Sequence, residues 1–267
     1  MLVTERKGRI KVPLAVNCKF PVASFSAMPR SHRAFSGYQA IKILLDDIPT
    51  SWYQMLMAAT TTRPTTKPDA RTRLLDAAMQ VIRGQGYSAT TVDDICRAAG
   101  LTKGAFFHHF KSKEDLAVAT AGHFSAMAEQ LFGTAPYREL ADPLDRVLGY
   151  IDFRSAIIAG PIPEFTCLLG TMVQEAYDTH PGIRRACDTY IGVHAADVAK
   201  DIEAAKALYR PEATWNAESL ALYTQAVLQG AFVLAKAKNR SEVARDCVAH
   251  LRRYIEFLFH RPTSKEE

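Results

Sequence analysis

Small and polar residues open the segment GLTKGAFFHHF (residues 100–110), and their chemistry suits contact with DNA. A helix that enters a DNA groove contacts base edges with its N-terminal residues, so those residues must be small or able to form hydrogen bonds. Thr102 can cap such a helix or donate its hydroxyl to a phosphate, and Lys103 can reach a phosphate or guanine acceptors. Gly104 permits close backbone approach, and Ala105 can contact a thymine methyl. The alternative for Gly104 is a tight contact between helices of the same chain.

Three phenylalanines and two histidines follow in the same segment. Helical spacing places Phe106 and Phe110 on one face, as expected of core residues, whereas Phe107 points about 100° away. His108 and His109 diverge by the same angle, and helical metal pairs are spaced i, i+4 instead. The sequence therefore predicts no metal site here, and no other pattern in it calls for a cofactor.

Further candidates for phosphate contact flank this segment. Lys111 and Lys113 lie at the N-terminus of the next predicted helix, where exposed amides favour an anion. The alternative is that both lysines are simply solvated. Thr91, as the cap of the preceding helix, is a similar candidate, and Arg71 and Arg73 at the start of the first helix are weaker ones.

Capping signals predict the helices that position these side chains. RTRLLDAAMQVIRGQGY (71–87) has one apolar face and ends at glycines. Thr91 with Asp94 forms a capping-box signature, Thr102 caps the next helix, and Ser112 with Asp115 repeats the box. Three such caps in close succession predict a compact helical trio with a helix-turn-helix arrangement.

The segment TTVDDICRAAGLTKGAFFHHFKSKEDL (90–116), with the helix before it, resembles the N-terminal domain of TetR/AcrR-family transcriptional regulators. The C-terminal half resembles the family only in the number and length of its helices. The resemblance implies a homodimer that binds a palindromic operator in double-stranded DNA, usually as a repressor. It also implies release by a small-molecule effector bound in the C-terminal domain.

Four side chains are interpreted by comparison with this family. It places His108 against the phosphate backbone and His109 inside the small domain. The family often has a tyrosine at Phe107, whose hydroxyl contacts a phosphate. Phenylalanine cannot make that hydrogen bond, so Phe107 is left to pack on sugar or on a thymine methyl. Cys96 stands where alanine is common, on the inward face, and is interpreted as core.

The chain as a whole is predicted to be all-α, with an N-terminal three-helix DNA-binding domain and a C-terminal helical domain for ligand binding and dimerisation. Residues 1–68 lack sustained periodicity and are interpreted as a disordered extension or a mis-assigned start. The DNA-binding domain is predicted over 69–116, the C-terminal domain over 117–260, and a tail over 261–267. Pro163 and Pro181 are predicted to open helices.

Charge and cysteine usage narrow the class of protein. The net charge of the 267 residues is +5, but the first 68 hold ten Lys/Arg against three acids, so the remainder is slightly acidic. DNA binding by the folded part must therefore depend on local residues. Five scattered cysteines without a CxxC pair are typical of a reducing compartment, and no apolar run approaches the length of a membrane helix. These patterns predict a cytoplasmic protein without membrane contact.

The middle helices should enclose the effector pocket. Its candidate lining is mainly apolar, with a few polar groups that can orient a ligand: Phe153, Ile157, Phe165, Cys167, Leu168, Met172, Gln174, Glu175, Tyr177, Tyr190 and His194. Glu175 can equally pair with an arginine such as Arg184 or Arg185. The sequence thus favours a small, mainly apolar effector.

The last two helices carry apolar stripes that also contain small residues, which let helices approach closely. Two such helices from each subunit can form a four-helix interface, as the family's do, and the alternative is a bundle within one chain. The candidate interface residues are Leu220, Val227, Ala231, Leu234, Val243, Cys247, Leu251, Tyr254 and Leu258.

Two other classes of function are open to a helical protein of this kind. An enzyme is disfavoured because the sequence offers no GxSxG, HExxH or phosphate-binding glycine loop. A helical adaptor that keeps the fold without specific DNA binding is the other alternative. The adaptor differs from a regulator in predicting no sequence-specific binding to the gene's own upstream DNA.

Overall fold

The computed structural model describes residues 68–260, so the predictions for the N-terminal extension and for the tail lie outside it. Within this range the chain forms ten α-helices and one 3-10 helix (Pro136–Glu139), and it contains no β-strand. In chain order the helices are α1 Ala70–Gln85, α2 Val92–Ala99, α3 Lys103–His109, α4 Lys113–Gly133, α5 Pro143–Ala156, α6 Ile162–Phe165, α7 Leu168–Ala176, α8 Pro181–Tyr209, α9 Ala217–Lys238 and α10 Glu242–Leu258. The all-α prediction is confirmed.

The predicted N-caps of the first helices are present. The Thr91 hydroxyl accepts from the Asp94 amide at 3.1 Å while the Asp94 carboxylate accepts from the Thr91 amide at 3.0 Å, which completes the capping box of α2. Thr102 caps α3 through the Ala105 amide. Ser112 caps α4, but the carboxylate of Asp115 accepts from the amide of Lys111 rather than from that of Ser112. The second box is therefore not reciprocal.

Glycines and cationic side chains close the turns between these helices. Gly86 and Gly100 follow α1 and α2 with φ of +90° and +62°, a region that glycine adopts without steric cost. Arg73 of α1 donates to the carbonyl of Ala99 at 2.5 Å, which satisfies an orphan carbonyl at the end of α2. Lys113 donates to the carbonyls of Tyr87 and Thr90. These long-range contacts fix the position of α2 relative to α1 and α4.

The segment from Ile162 to Ala176 forms two helices, whereas the sequence predicts a single helix opened by Pro163. The short α6 ends at Phe165, the backbone becomes extended at Thr166 and Cys167, and α7 begins at Leu168. The sequence shows no signal for this interruption, because neither Thr166 nor Cys167 is a strong helix breaker. The interruption matters because Thr166 lines the interior cavity described below.

Two hydrophobic cores hold the helices together. The first core joins buried residues of α1–α4 to residues of α7 and α8, among them Leu74, Ile95, Phe106, Leu116, Met172 and Ile183. The second core lies among α4, α5 and α8–α10, with Phe132, Tyr150, Ile202, Leu228 and Ile255. Residues on both sides of the predicted boundary at 116 thus share the first core.

One helix of the described residues, α9, is long and apolar enough to cross a membrane by length and composition, with a mean hydropathy of 1.2. Only 44% of that apolar window is buried within the protein, on the side that carries Leu228 and Phe232. A core helix of a soluble protein passes the same test, so this observation is weak evidence for a membrane span.

Candidate nucleic-acid interface and interior cavity

The start of α3 combines an exposed polar edge with a buried aromatic anchor. Thr102, Lys103 and Gly104 are exposed and Ala105 is half-buried, whereas Phe106 is 0% exposed in the first core. The residues predicted to contact DNA therefore face solvent as a contiguous group. The anchor fixes the helix from behind, because burial of a large aromatic side chain contributes strongly to packing.

Lys103 is oriented by a carboxylate that the sequence pattern did not predict. Its Nζ lies 2.9 Å from Oδ1 of Asp93 on α2, and both side chains are largely exposed. The hydrogen bond to Asp93 raises the pKa of Lys103, so the ammonium is charged. The acidic first turn of α2 offered a signal, but the spacing of the two helices sets the contact and is not visible in sequence.

Gly104 has no packing reason among residues 68–260. A Cβ placed there would meet only the hydroxyl of Thr102, at an ordinary distance of 3.7 Å. The alternative of a tight contact between helices of one chain is therefore not supported. A glycine in the first turn of a helix instead lowers helix propensity without an intramolecular gain.

The two capping threonines differ in what they can offer to a ligand. The hydroxyl of Thr102 accepts from the Ala105 amide, which leaves its own proton available. The hydroxyl of Thr91 is 2.7 Å from a carboxylate oxygen of Asp94, to which it donates. Thr102 is thus the better placed of the two to donate to a phosphate.

The remaining interface candidates separate into exposed and internally bound groups. Phe107 is 58% exposed, and His108 and Lys111 are also exposed. His109 is half-buried beside Phe110, with the ring centroids 6.5 Å apart. Lys113 is half-buried, and its ammonium lies 4.3 Å from the Tyr87 ring centroid besides donating to two carbonyls. Lys113 is therefore neither a solvated lysine nor a free cation for phosphate, because tertiary contacts occupy it.

Cys96 is buried in the first core, as predicted. Burial raises the pKa of its thiol. A neutral, enclosed thiol reacts slowly because the thiolate is the nucleophile. Its place in the core agrees with a packing role.

A cavity of about 550 Å³ lies between the first and second cores. Apolar side chains form much of its wall, including Met79, Phe124, Met127, Phe132, Phe165 and Phe232. Met79 and Arg83 belong to α1, so the helix that carries the α2–α3 pair forms part of the wall. The volume is within the range of small-molecule sites.

The predicted pocket residues divide into three groups. Those that line the cavity are Ile157, Phe165, Cys167, Tyr190 and His194. Phe153, Leu168 and Met172 are core residues instead, and Tyr177 is exposed. Gln174 and Glu175 line a smaller cavity of about 200 Å³, where Glu175 accepts from the amide of Ser88. Helical periodicity identified buried positions, but it could not separate core positions from cavity positions.

His194 belongs to a neutral hydrogen-bond network at the cavity wall. The Tyr150 hydroxyl accepts from Gln225 at 3.1 Å and forms a hydrogen bond with Nε2 of His194 at 3.0 Å. Burial lowers the pKa of His194 to about 3, and the positive charge of Arg154 acts in the same direction. The imidazole is therefore uncharged near neutral pH.

Arginines contribute more to the cavity than the sequence pattern predicted. Arg83, Arg138 and Arg154 all line it. Arg83 follows Met79 by one helical turn on α1, and Arg154 lies at the end of an apolar run on α5. An arginine within an otherwise apolar helix face is the sequence signal that could have identified these cavity residues.

Profiles of known protein families match both halves of the chain. Residues 74–120 match the family described as "Bacterial regulatory proteins, tetR family", and residues 143–251 match "Tetracyclin repressor-like, C-terminal domain". The chain belongs to the TetR/AcrR family of transcriptional regulators. The TetR-type N-terminal match spans the exposed edge of α3 and its anchor Phe106, and the C-terminal match spans most of the cavity wall.

Curated TetR-family relatives share mainly the N-terminal part. The "HTH-type transcriptional repressor KstR2" of Rhodococcus jostii is 42% identical over 74 residues, which are 28% of this chain and 34% of the relative. The "Transcriptional regulator AcuR" of Cereibacter sphaeroides is 29% identical over 116 residues, 42% of this chain and 53% of the relative. The chain thus spans a third to a half of the length of these relatives.

Solved TetR-family structures share the fold over more of the chain. A TetR transcriptional regulator from Chloroflexus aurantiacus has a TM-score of 0.62 at 26% identity, covering 70% of this chain and 93% of that one. The coverage includes both halves of the described structure. It confirms a TetR-type arrangement of a helix-turn-helix domain on a helical C-terminal domain.

The last two helices of this TetR-family chain expose apolar side chains on one side. We call this the α9–α10 face and define it by Tyr223, Gly230 and Leu234 of α9 with Tyr254 and Phe257 of α10. Phe257 is 73% exposed, and the rings of Tyr223 and Tyr254 are in contact at 5.3 Å. A Cβ placed on Gly230 would meet nothing within 4 Å. The face is therefore open to close approach by another helix.

The predicted dimer residues lie only partly on this face. Leu220, Ala231 and Leu251 are buried in the second core of their own chain. Leu234 and Tyr254 are exposed, and the half-buried members at the margin are Val227, Val243, Cys247 and Leu258. The apolar spacing in the sequence identified the face of each helix that is buried in its own chain. The exposed apolar face lies about a quarter of a turn or more around the helix from that buried face.

Proposed function

We propose that this TetR-family protein is a cytoplasmic, dimeric, ligand-responsive repressor. It binds a palindromic operator through α3 and releases it when a small effector occupies the interior cavity. The observation that carries the proposal is the exposed edge Thr102–Gly104 on a helix anchored by a fully buried Phe106. That combination presents donors and close backbone approach to a major groove on a rigid support.

A dimer is supported by the α9–α10 face. A two-fold interface brings the same patch of both subunits together, so a patch must be self-complementary. Exposed rings at Tyr254 and Phe257 on α10, together with an open Gly230 on α9, suit two helices that pack closely against their symmetry mates. Two recognition helices held in this way can reach successive major grooves of a palindromic site.

Effector response is supported by physical links between the cavity and the DNA-binding helices. Arg83 of α1 lines the cavity and donates to the carbonyl of Glu164 on α6. His123 of α4 lies 2.7 Å from the carboxylate of Asp76 on α1. An effector that binds better when the recognition helices are wrongly spaced must weaken DNA binding by the same factor.

Footprinting of the purified protein on its gene's own upstream DNA tests the proposal, with Lys103→Ala as the informative variant. We expect about tenfold weaker operator binding and a slope of log Kd against log salt that falls by about 1, if Lys103 contacts a phosphate. A base contact would instead relax sequence preference at one position. Lys238→Ala, on α9, is the matched control. Unchanged affinity, slope and preference in Lys103→Ala would contradict the assignment, and absence of any footprint would count against an operator there.

Gly104→Ala separates DNA contact from folding. Because the added methyl meets only Thr102 at 3.7 Å, we expect thermal stability to be unchanged or higher. Operator affinity is expected to fall, since the methyl occupies space that the DNA backbone or a base edge would approach. Differential scanning fluorimetry and a gel-shift titration measure the two effects. Full operator affinity in a stable Gly104→Ala protein would show that α3 does not approach DNA at this position.

A further inference from the structure

Two arginines at the cavity wall have no carboxylate partner among residues 68–260. Arg83 is only 5% exposed, and its Nε is buried without a hydrogen-bond acceptor. The Nε of Arg154 is likewise buried and without an acceptor, while its guanidinium lies 4.8 Å from the Phe132 ring centroid. A guanidinium stays charged in proteins, so neither group can lower its cost by losing a proton.

A third polar group of the same wall is also unsatisfied. The hydroxyl of Thr166, in the interruption between α6 and α7, is buried and has no partner in the described part of the chain. Buried polar groups are paired in the great majority of cases, so three such groups on one cavity require an explanation. An anion that accepts from all three would supply it.

The other charged side chains of the cavity wall either have a partner, are exposed or point elsewhere. Arg138 pairs with Asp197, and Lys200 lies 3.4 Å from the same carboxylate. Glu129 is exposed. The carboxylate of Glu164 points towards Gly160, where a Cβ would lie 3.2 Å from its Oε2.

The surroundings of the two arginines are consistent with an unbalanced positive charge. Burial lowers the pKa of Lys236, and Arg83 is the next largest cause. Arg154 helps to lower the pKa of His194. The carboxylate of Glu175 acts to raise the pKa of Lys236, against the effect of Arg83. Glu175 accepts from the Ser88 amide, however, and lines the smaller cavity.

We propose that the effector is an amphipathic carboxylate, whose head group binds Arg83, Arg154 and Thr166 and whose hydrocarbon body lies against the apolar wall. The proposal rests on the proposed function, in that it takes the cavity as the effector site. Charge-assisted hydrogen bonds to carboxylates are the strong class, and arginine matches the geometry of a carboxylate. The apolar wall requires the ligand to be more than a bare anion.

Arg83 belongs to α1, so a charged ligand that binds it acts directly on the DNA-binding domain. Arg83 lies in the last turn of α1, and its guanidinium now binds a carbonyl of α6. A carboxylate that accepts from the unpaired Nε shares this guanidinium with that carbonyl. The ligand's charge thereby acts on the helix against which α2 and α3 pack.

Paired ligands test the proposal on the full-length protein in the absence of DNA. Linear carboxylates of about six to twelve carbons, a size that suits a cavity of this class, are compared by calorimetry with their alcohols and alkyl phosphates. We expect each bound carboxylate to bind about tenfold or more tightly than its alcohol. Arg83→Gln and Arg154→Gln should each weaken carboxylate binding more than alcohol binding, and so reduce this preference. Arg185→Gln, an exposed position on α8, should retain it.

Defined results would overturn the proposal. If every carboxylate binds no better than its alcohol, the cavity does not select an anion. A preference for alkyl phosphates, or a preference that survives in the Arg83→Gln/Arg154→Gln double variant, would remove the carboxylate assignment. Should Arg83→Gln fail to fold, the wild-type ligand comparison and Arg154→Gln decide the question.

Operator binding is measured separately, so the two proposals can fail independently. A protein that binds carboxylates but no DNA would contradict the proposed repressor function and leave the ligand class standing. A protein that binds its operator and responds equally to carboxylates and alcohols would contradict the ligand class alone.

Discussion

Phe106→Ala is expected to lower the free energy of unfolding by about 3–5 kcal/mol, as is usual when a large aromatic side chain is deleted from a core. Phe106 is 0% exposed and its ring contacts those of Phe107 and Phe110, at centroid distances of 5.1 and 5.9 Å. A loss of this size is a large fraction of the stability of a typical domain. DNA binding should be lost with it, because α3 has no other large buried anchor among its own residues.

Phe107→Ala is the matched control for Phe106→Ala. The two residues are adjacent and chemically identical, but Phe107 is 58% exposed. We expect Phe107→Ala to cost about 1 kcal/mol or less, since surface changes are usually small and one aromatic contact is lost. Denaturant unfolding gives both values. Equal costs for the two variants would mean that α3 does not bury Phe106 as described. Operator affinity of the stable Phe107→Ala protein then tests whether this ring contacts DNA.

Gly230→Glu is expected to convert the proposed dimer to a monomer. On the isolated subunit the new side chain meets open space, and glutamate is a better helix former than glycine. In a two-fold interface through the α9–α10 face, two carboxylates would be buried near each other, which is costly without partners. We expect dimerisation to weaken about 100-fold or more, measured by analytical ultracentrifugation. Operator affinity should fall as well, because the half-sites are no longer bound together.

Gly192→Glu provides the comparison for Gly230→Glu. Gly192 lies within α8 and is exposed, and a Cβ placed on it would also meet nothing within 4 Å. The substitution makes the same chemical change on another helix face. We expect a dimer of normal affinity. A Gly230→Glu protein that dimerises like the Gly192→Glu protein would show that the subunits meet elsewhere.

Local signals in the sequence were enough to predict the helices around α3. Capping by Thr91 and Thr102 depends on residues three positions apart, and the stop at Gly100 depends on a single backbone angle. Such signals act within one helical turn, so they can be seen without knowledge of the fold. The split between α6 and α7 was missed because it has no comparable local mark.

The parts of the site that sequence reasoning could not reach depend on contacts between distant segments. Lys113 binds the carbonyl of Tyr87, and Arg83 binds that of Glu164, across 26 and 81 residues. Apolar periodicity indicates that a position is buried, but it does not distinguish a core from a cavity. Leu168 and Ile157 share that signal, yet only Ile157 lines the cavity.

The shared first core limits how the protein can be recombined with its relatives. Met172 and Ile183, from α7 and α8, pack in the same core as Leu74 and Phe106. A chimaera joined after residue 116 would place foreign side chains against this core and would lose the match between the two surfaces. Transplanting the DNA-binding domain of this chain onto another C-terminal domain therefore requires the first part of α4, α7 and the beginning of α8 to move with α1–α3, as one packing unit drawn from two separate stretches of the gene.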